Sequence, residues 1–80
     1  MLGLKKPLKI QVEEGQSLRV EHSFKDDSPI FDLCDTNGKL LKSGKIDKKS
    51  KKLTIKNLNL GEYYLYILDG AQMFTGKFAV

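Results

Sequence analysis

The sequence contains almost none of the residues with which small domains cross-link themselves. Its 80 residues include one cysteine, Cys34, and one histidine, His22. A single cysteine excludes an intrachain disulfide, and one cysteine with one histidine cannot assemble a Cys/His zinc site. A domain of this size must therefore be stabilised by packing alone. We predict no metal and no cofactor.

Long apolar runs are absent as well. No stretch approaches the ~20 apolar residues of a membrane span, which predicts no membrane-spanning segment. Residues 1–7 lack the apolar centre and the small-residue cleavage site of a signal peptide. Composition leaves two localisations open: a cytoplasmic protein, or an exported domain whose signal has been removed. The length predicts one domain, residues 1–80.

Positive charge is plentiful but poorly arranged for nucleic acid. The net charge is +4, and most of the excess lies in the run 45–52. No aromatic residue is interleaved there to stack on a base, as single-strand binders usually require. The run predicts a solvated loop rather than a nucleic-acid or membrane contact.

Apolar and polar residues alternate with a period of two along the whole chain. After a first strand and a turn at 13–16, the pattern continues to the C-terminus. It predicts seven short strands, over 8–12, 18–24, 30–34, 40–46, 53–55, 62–68 and 73–80. The sixth is apolar on both faces, which is typical of a central strand. These features predict an all-β fold, a seven-stranded immunoglobulin-like antiparallel β-sandwich.

Glycines mark several of the turns. Asn37 and Gly38 predict a type I′ hairpin turn, and Asp69 with Gly70 predicts a second primed turn. Gly44 interrupts the fourth strand and indicates a bulge or an edge position there.

A corner precedes the sixth strand, where Leu58, Gly61 and Tyr63 follow the spacing Leu-x-x-Gly-x-Tyr. A tyrosine at the start of the penultimate sandwich strand can donate its hydroxyl to upstream backbone and fasten the corner. Gly61 would permit the tight turn, and Leu58 would fill the core beneath it. The motif predicts a structural role.

Three segments, 31–39, 58–67 and 76–80, resemble the C-terminal sorting domain of the type IX (Por) secretion system. That family shows an Asp-x-x-Gly-Lys turn, a Leu-x-x-Gly-x-Tyr corner and a closing Lys-Phe. Its usual Pro-Asn-Pro opening is replaced here by Lys-Pro-Leu at 6–8. The sequence is also similar to small exported bacterial immunoglobulin-like domains of unknown function. The residues on sorting-domain motif positions are Asn37, Gly38, Lys39, Gly61, Tyr63, Lys77 and Phe78.

Both resemblances imply an immunoglobulin-like sandwich in an exported protein, whether periplasmic, on the cell surface or secreted. The resemblance to the sorting domain further implies a non-catalytic module that directs attached cargo across the outer membrane. Its partner would be a protein, either part of a secretion or surface apparatus or a second copy. Nucleic acid and small-molecule substrates are not expected partners.

The last hairpin and the C-terminus are predicted to contact the partner. Tyr64, Tyr66 and Phe74 are expected on one outward face next to Met73, where exposed aromatic rings would mark recognition. The alternative is that these side chains complete the core. The final strand is expected to be an edge that Lys77 protects. The predicted partner-binding residues are Tyr64, Tyr66, Met73, Phe74, Lys77 and Phe78.

The titratable residues do not indicate catalysis, and we predict that the chain is not an enzyme. His22 falls on the inward face of the second strand, where we expect a half-buried ring satisfied by backbone. Cys34 is expected to behave as a small hydrophobe. Gly38, Gly61 and Gly70 lie in turns, and the sequence has no Gly-rich phosphate loop. The remaining candidates lack the spacing of a calcium loop and are interpreted as turn caps: Asp26, Asp27, Asp32 and Asp35.

Two functional hypotheses remain. The first is a binding or targeting module, recognised through its last hairpin and C-terminus. The second takes the 80 residues as a complete protein, a small accessory secreted sandwich that self-associates or binds a partner by edge-strand pairing.

Overall fold

The computed structural model describes residues 5–13 and 17–80, so most of the turn predicted at 13–16 lies outside the described residues. Within these residues eight strands follow one another: β1 (Lys5–Pro7), β2 (Lys9–Glu13), β3 (Ser17–Glu21), β4 (Ile30–Asp35), β5 (Leu40–Lys45), β6 (Lys52–Thr54), β7 (Glu62–Asp69) and β8 (Gln72–Ala79).

The strands form two packed sheets. One has five strands in the order β1-β8-β7-β4-β5, and the other has three in the order β2-β3-β6. The predicted all-β, two-layer architecture is confirmed. β7 is the middle strand of the larger sheet, as its apolar sequence on both faces predicted.

The N-terminal segment crosses from one sheet to the other. β1 runs parallel to β8, and the N–H of Leu8 donates to the carbonyl of Thr75 at 2.9 Å. β2 then pairs antiparallel with β3, with Ile10 opposite Val20. Pro7, opposite Thr75, is the last residue of β1. The prediction of seven antiparallel strands is wrong in this detail, because one segment supplies two strands and one of its pairings is parallel.

The core lies between the two sheets, and it is built from every second side chain of the strands that face it. Each aliphatic or aromatic side chain buried there contributes roughly 1.5–3 kcal/mol relative to an exposed position. The most completely buried side chains are Leu18, Val20, Pro29, Leu33, Ile55, Leu65 and Ile67.

The turn between β4 and β5 differs from the predicted type. A type I′ turn needs positive φ at both central residues, whereas Gly38 has a φ of +84° and Asn37 does not have a positive φ. Instead, Oδ1 of Asp35 accepts hydrogen bonds from the N–H groups of Asn37 and Lys39, both at 2.9 Å. The hairpin is confirmed, but the prediction of a type I′ turn is wrong. The Asp35 side chain accepts hydrogen bonds from backbone N–H groups of the turn and stabilises a different turn conformation.

The turn between β7 and β8 is of the primed kind that was predicted. Asp69 pairs with Gln72, so Gly70 and Ala71 form a two-residue loop. Gly70 has a φ of +63° and Ala71 does not have a positive φ, the pattern of a type II′ turn.

Candidate functional site: the last hairpin and its outer face

The hairpin of β7 and β8 forms the centre of the larger sheet. Eight residue pairs join its strands, from Glu62 with Ala79 to Asp69 with Gln72. Because side chains alternate across a strand, one set of residues faces the smaller sheet and the other faces away from it. We use the name outer face for five residues of the second set together with Ile30 of β4: Ile30, Tyr64, Tyr66, Leu68, Met73 and Lys77.

The outer face is apolar and partly open. Ile30 is 44 % exposed, and Tyr66, Leu68 and Met73 are half-buried. The rings of Tyr64 and Tyr66 lie with their centroids 6.4 Å apart. A shallow depression of about 90 Å³ is lined by Ile30, Phe31, Asp32, Tyr66, Leu68 and Met73. Aromatic and methionine side chains of this kind favour protein contacts.

Two of the predicted partner-binding residues lie on the opposite side of the hairpin. Phe74 is opposite Ile67 and only 7 % exposed, and Phe78 is opposite Tyr63 and 6 % exposed. Both belong to the core between the sheets. The prediction that Phe74 faces outward is therefore wrong, and for Phe74 the alternative of core filling holds.

Lys77 lies at the rim of the outer face. Its Nζ is 3.0 Å from a carboxylate oxygen of Glu62, on the neighbouring strand. The hydrogen bond and the negative charge of Glu62 raise the pKa of Lys77, so the side chain stays protonated. The final strand is not an edge over Met73–Thr75, because β1 covers that stretch on the side away from β7.

Gly76 of β8 permits the N-terminal segment to approach the hairpin closely. A Cβ at this position would lie 2.6 Å from Cδ1 of Ile10 and 2.7 Å from the carbonyl oxygen of Leu8. Backbone cannot yield as a flexible side chain can, so a larger residue would push the N-terminal segment away. The last hairpin and the start of the chain are thus packed as one unit.

The corner before β7 is fastened as predicted. The hydroxyl of Tyr63 donates to the carbonyl of Asn59 at 2.6 Å, and Leu58 packs against the core. Gly61 has a φ of +150°, which side-chain-bearing residues rarely adopt. Its N–H and carbonyl also exchange two hydrogen bonds with Val80, at 3.1 and 2.9 Å. The corner therefore holds the C-terminal residue.

Asp69, at the C-terminal end of β7, is a buried acid, whereas the sequence pattern indicated only a turn residue there. The side chain of Asp69 is 3 % exposed. Its carboxylate accepts hydrogen bonds from the N–H groups of Lys25, at 3.0 and 3.1 Å, and of Asp26, at 2.7 Å. Asp26 returns the contact by accepting from the N–H of Gly70 at 3.2 Å. The loop between β3 and β4 is thereby attached to the turn of the last hairpin.

His22 completes this network. Its Nε2 lies 3.2 Å from Oδ2 of Asp69, and its ring packs against Phe24 and Phe74 with centroids 5.0 and 4.2 Å away. The ring is half-buried, as expected. The expectation that backbone satisfies it is wrong, because its polar partner is a carboxylate.

Burial alone would raise the pKa of Asp69. The N–H groups of Lys25 and Asp26 outweigh this effect, with help from His22, and lower the pKa of Asp69 below its ordinary value. The carboxylate is therefore charged whenever the domain is near neutral pH. Its position could have been found from phase, since Asp69 shares the inward face of β7 with Tyr63, Leu65 and Ile67.

Cys34 and His22 do not come together. Cys34 is opposite Tyr64, whereas the partner of His22, Asp69, lies five residues further along β7, about 17 Å at strand spacing, and on the opposite face. Burial raises the pKa of the Cys34 thiol, and the carboxylates of Asp32 and Asp35 raise it further. The thiol is thus kept protonated and away from the imidazole, an arrangement that does not activate a nucleophile.

A family model described as the secretion system C-terminal sorting domain matches residues 6–80, nearly the whole chain. The chain belongs to this family. Comparison with curated proteins and with solved structures found no match. The match confirms the resemblance that residues 31–39, 58–67 and 76–80 indicated, and it extends that resemblance through the N-terminal strands.

Membership identifies the chain as a sorting domain of a secreted or cell-surface protein. Within residues 5–13 and 17–80, no helix is long and apolar enough to cross a membrane. At the family positions Gly61 and Tyr63, the residues shape and fasten the corner before β7. At the family positions Asn37 and Lys39, the backbone N–H groups donate to Asp35 and stabilise the β4–β5 turn. Of the family motif positions, Lys77 lies at the rim of the outer face and is exposed.

Proposed function

We propose that the sorting domain is recognised by a protein of the type IX secretion apparatus through the outer face of its last hairpin. The domain would carry no catalytic activity and would direct an attached protein across the outer membrane. The observation that carries the proposal is the family match over residues 6–80, combined with an apolar face on the central hairpin.

The chemistry of the outer face supports a protein partner. Tyr64 and Tyr66 offer rigid, amphipathic rings at low entropic cost, and Met73 offers an adaptable apolar surface beside them. In the part of the chain that the structure describes, no third layer packs on this side of the sheet. The ion pair of Lys77 and Glu62 supplies a polar rim, as at many protein interfaces.

We also infer that the sandwich is of the immunoglobulin-like class. The order β8-β7-β4-β5 corresponds to strands G-F-C-C′ of that class, and β2-β3-β6 corresponds to A-B-E. Tyr63 at the start of β7 occupies the place of the tyrosine corner at the start of strand F. Both correspondences support the assignment.

The sorting role is tested by fusing residues 1–80 to the C-terminus of a secreted reporter, in a bacterium that has the type IX system. We expect the reporter outside the outer membrane, and in the periplasm when the secretion system is deleted. Retention of the unmodified fusion in the periplasm of the intact strain would contradict the sorting role.

Recognition through the outer face is tested in the same fusion with Tyr64→Ser and Tyr66→Ser combined. We expect the variant to fold and the reporter to remain in the periplasm. The matched control is Val12→Ser, which removes a 44 % exposed apolar side chain from the other sheet and should leave secretion unchanged. Normal secretion of the double variant would contradict recognition through this face while leaving the sorting role intact.

A further inference from the structure

β5 is the outermost strand of the larger sheet, opposite the edge that β1 occupies. All six of its residues are exposed, and Leu40 and Leu41 are 54 % and 41 % exposed. Among the described residues, β4 is the only strand paired with it. The other long side of β5 is therefore open.

The backbone register shows which groups face that open side. The N–H of Ile46 donates to the carbonyl of Pro29 at 2.9 Å, so this pair is of the hydrogen-bonded kind. Such pairs alternate along an antiparallel ladder, which makes Gly44 the next residue bonded to β4. Ser43 and Lys45 fall between them and direct their N–H and carbonyl groups outward. Within the described parts of the chain these groups have no backbone partner.

Three lysines lie on or next to this edge, and one exposed acid, Asp32, lies opposite Ser43 on β4. Lys39 precedes β5, and Lys42 and Lys45 lie on it, all exposed. Nζ of Lys42 donates to the carbonyl of Thr54, on β6 of the smaller sheet, at 3.2 Å. Neither Lys39 nor Lys45 has a carboxylate within ion-pair distance among residues 5–13 and 17–80. Their charge is left available to a partner.

We propose that β5 is a docking edge for an extended acidic peptide segment, which adds a strand next to Ser43 and Lys45. Main-chain hydrogen bonds would provide the pairing, and acidic side chains of the segment would lie beside the lysines. The site goes beyond the proposed sorting function, because β4 and β7 separate β5 from β8. It adjoins the outer face only where Lys45 lies opposite Ile30.

The same lysines distinguish this occupant from a second copy of the chain. If two β5 strands paired, lysines would face lysines across the new ladder, and like charges directly opposite one another are destabilising. Edge lysines are a common protection against such self-pairing. In an acidic segment, carboxylates would lie opposite these lysines, so the interaction across the ladder would be attractive.

The test uses the isotopically labelled full chain and a short capped peptide of alternating glutamate and valine. Control peptides replace every glutamate with lysine, or insert proline at the centre. We expect the acidic peptide to bind, with amide shifts concentrated over 39–46, and the two controls to bind at least about tenfold more weakly. The affinity should fall as salt is raised, because the charges are exposed.

Ser43→Pro is the decisive variant, because it removes an outward N–H without touching the hydrogen bonds to β4. We expect about tenfold weaker binding of the acidic peptide, with an unchanged amide spectrum outside β5 as evidence of folding. Lys45→Glu should weaken binding by a similar factor. Lys6→Glu, the same charge change at the opposite edge of the sheet, should alter it less than about twofold.

Three outcomes would overturn the proposal. One is the absence of binding at millimolar acidic peptide and low salt. Another is equal affinity in the folded Ser43→Pro variant. The third is a concentration-dependent dimer in sedimentation that Ser43→Pro abolishes, which would make a second copy the occupant of this edge. None of these results bears on secretion of the reporter fusion.

Discussion

The two ends of β7 are held by different chemistries on the same inward face. At the first end, the neutral hydroxyl of Tyr63 donates to a carbonyl four residues away. At the second, the charged carboxylate of Asp69 accepts from backbone 43 and 44 residues away. The first contact fastens a local corner, whereas the second ties a separate loop to the last hairpin. The comparison shows that a short sequence motif can predict a hydrogen bond between residues close in the chain, but not one between distant segments.

Removing the carboxylate should have the largest effect. Asp69→Ala leaves the N–H groups of Lys25 and Asp26 and the ring of His22 without their acceptor. We expect a loss of about 3 kcal/mol in the free energy of unfolding, measured by urea denaturation. The control is Asp27→Ala, whose side chain is 96 % exposed and which should change stability little. A loss below about 1 kcal/mol for Asp69→Ala would show that the two ends of β7 are equally important.

Protonating Asp69 should weaken the same end less severely, since a neutral carboxyl still accepts hydrogen bonds. The pKa of Asp69 is lowered in the folded state, so its charged form stabilises the fold above the unfolded-state pKa, ordinarily 3.8. That contribution is lost as the pH falls through the folded-state pKa. We expect the Tm of the wild type to fall more steeply between pH 5 and 2 than that of Asp69→Asn. Parallel profiles would mean that this carboxylate is not a source of acid sensitivity.

The tyrosine end should show the smallest effect. Tyr63→Phe keeps the ring in the core and removes one neutral hydrogen bond, which corresponds to about 1 kcal/mol. The matched control is Tyr64→Phe, the same change on the outer face, which should leave the urea midpoint unchanged. A loss for Tyr63→Phe that equals that of Asp69→Ala would remove the distinction between the two ends.

Much of the fold was predictable because its information is local. Alternation and turn residues predicted the seven strands β2 to β8, the central place of β7 in its sheet and the hairpin at Gly70. The tyrosine corner was predictable because Tyr63, Gly61 and Leu58 lie within six residues of one another. Such spacing is visible without any knowledge of the sheets.

The candidate site was only partly predictable. Tyr64, Tyr66 and Met73 do lie on the outer face, but Phe74 and Phe78 do not. Alternation states that neighbours point to opposite sides, yet it does not say which side is covered. The sequence of β8 gives an indication, because Phe74 and Phe78 are four residues apart and so lie on one face of the strand, whereas Lys77 lies on the other.

Taken alone, the sequence determined the strand periods, most of the turns and the family, since each depends on residues close together in the chain. The tertiary structure decided which strand edge is bare, how the N-terminal segment divides between the sheets, and what surrounds Asp69. The last two features depend on contacts between segments more than forty residues apart. Many of these contacts are made by backbone groups, which carry no residue identity, and so the sequence does not show which segments meet.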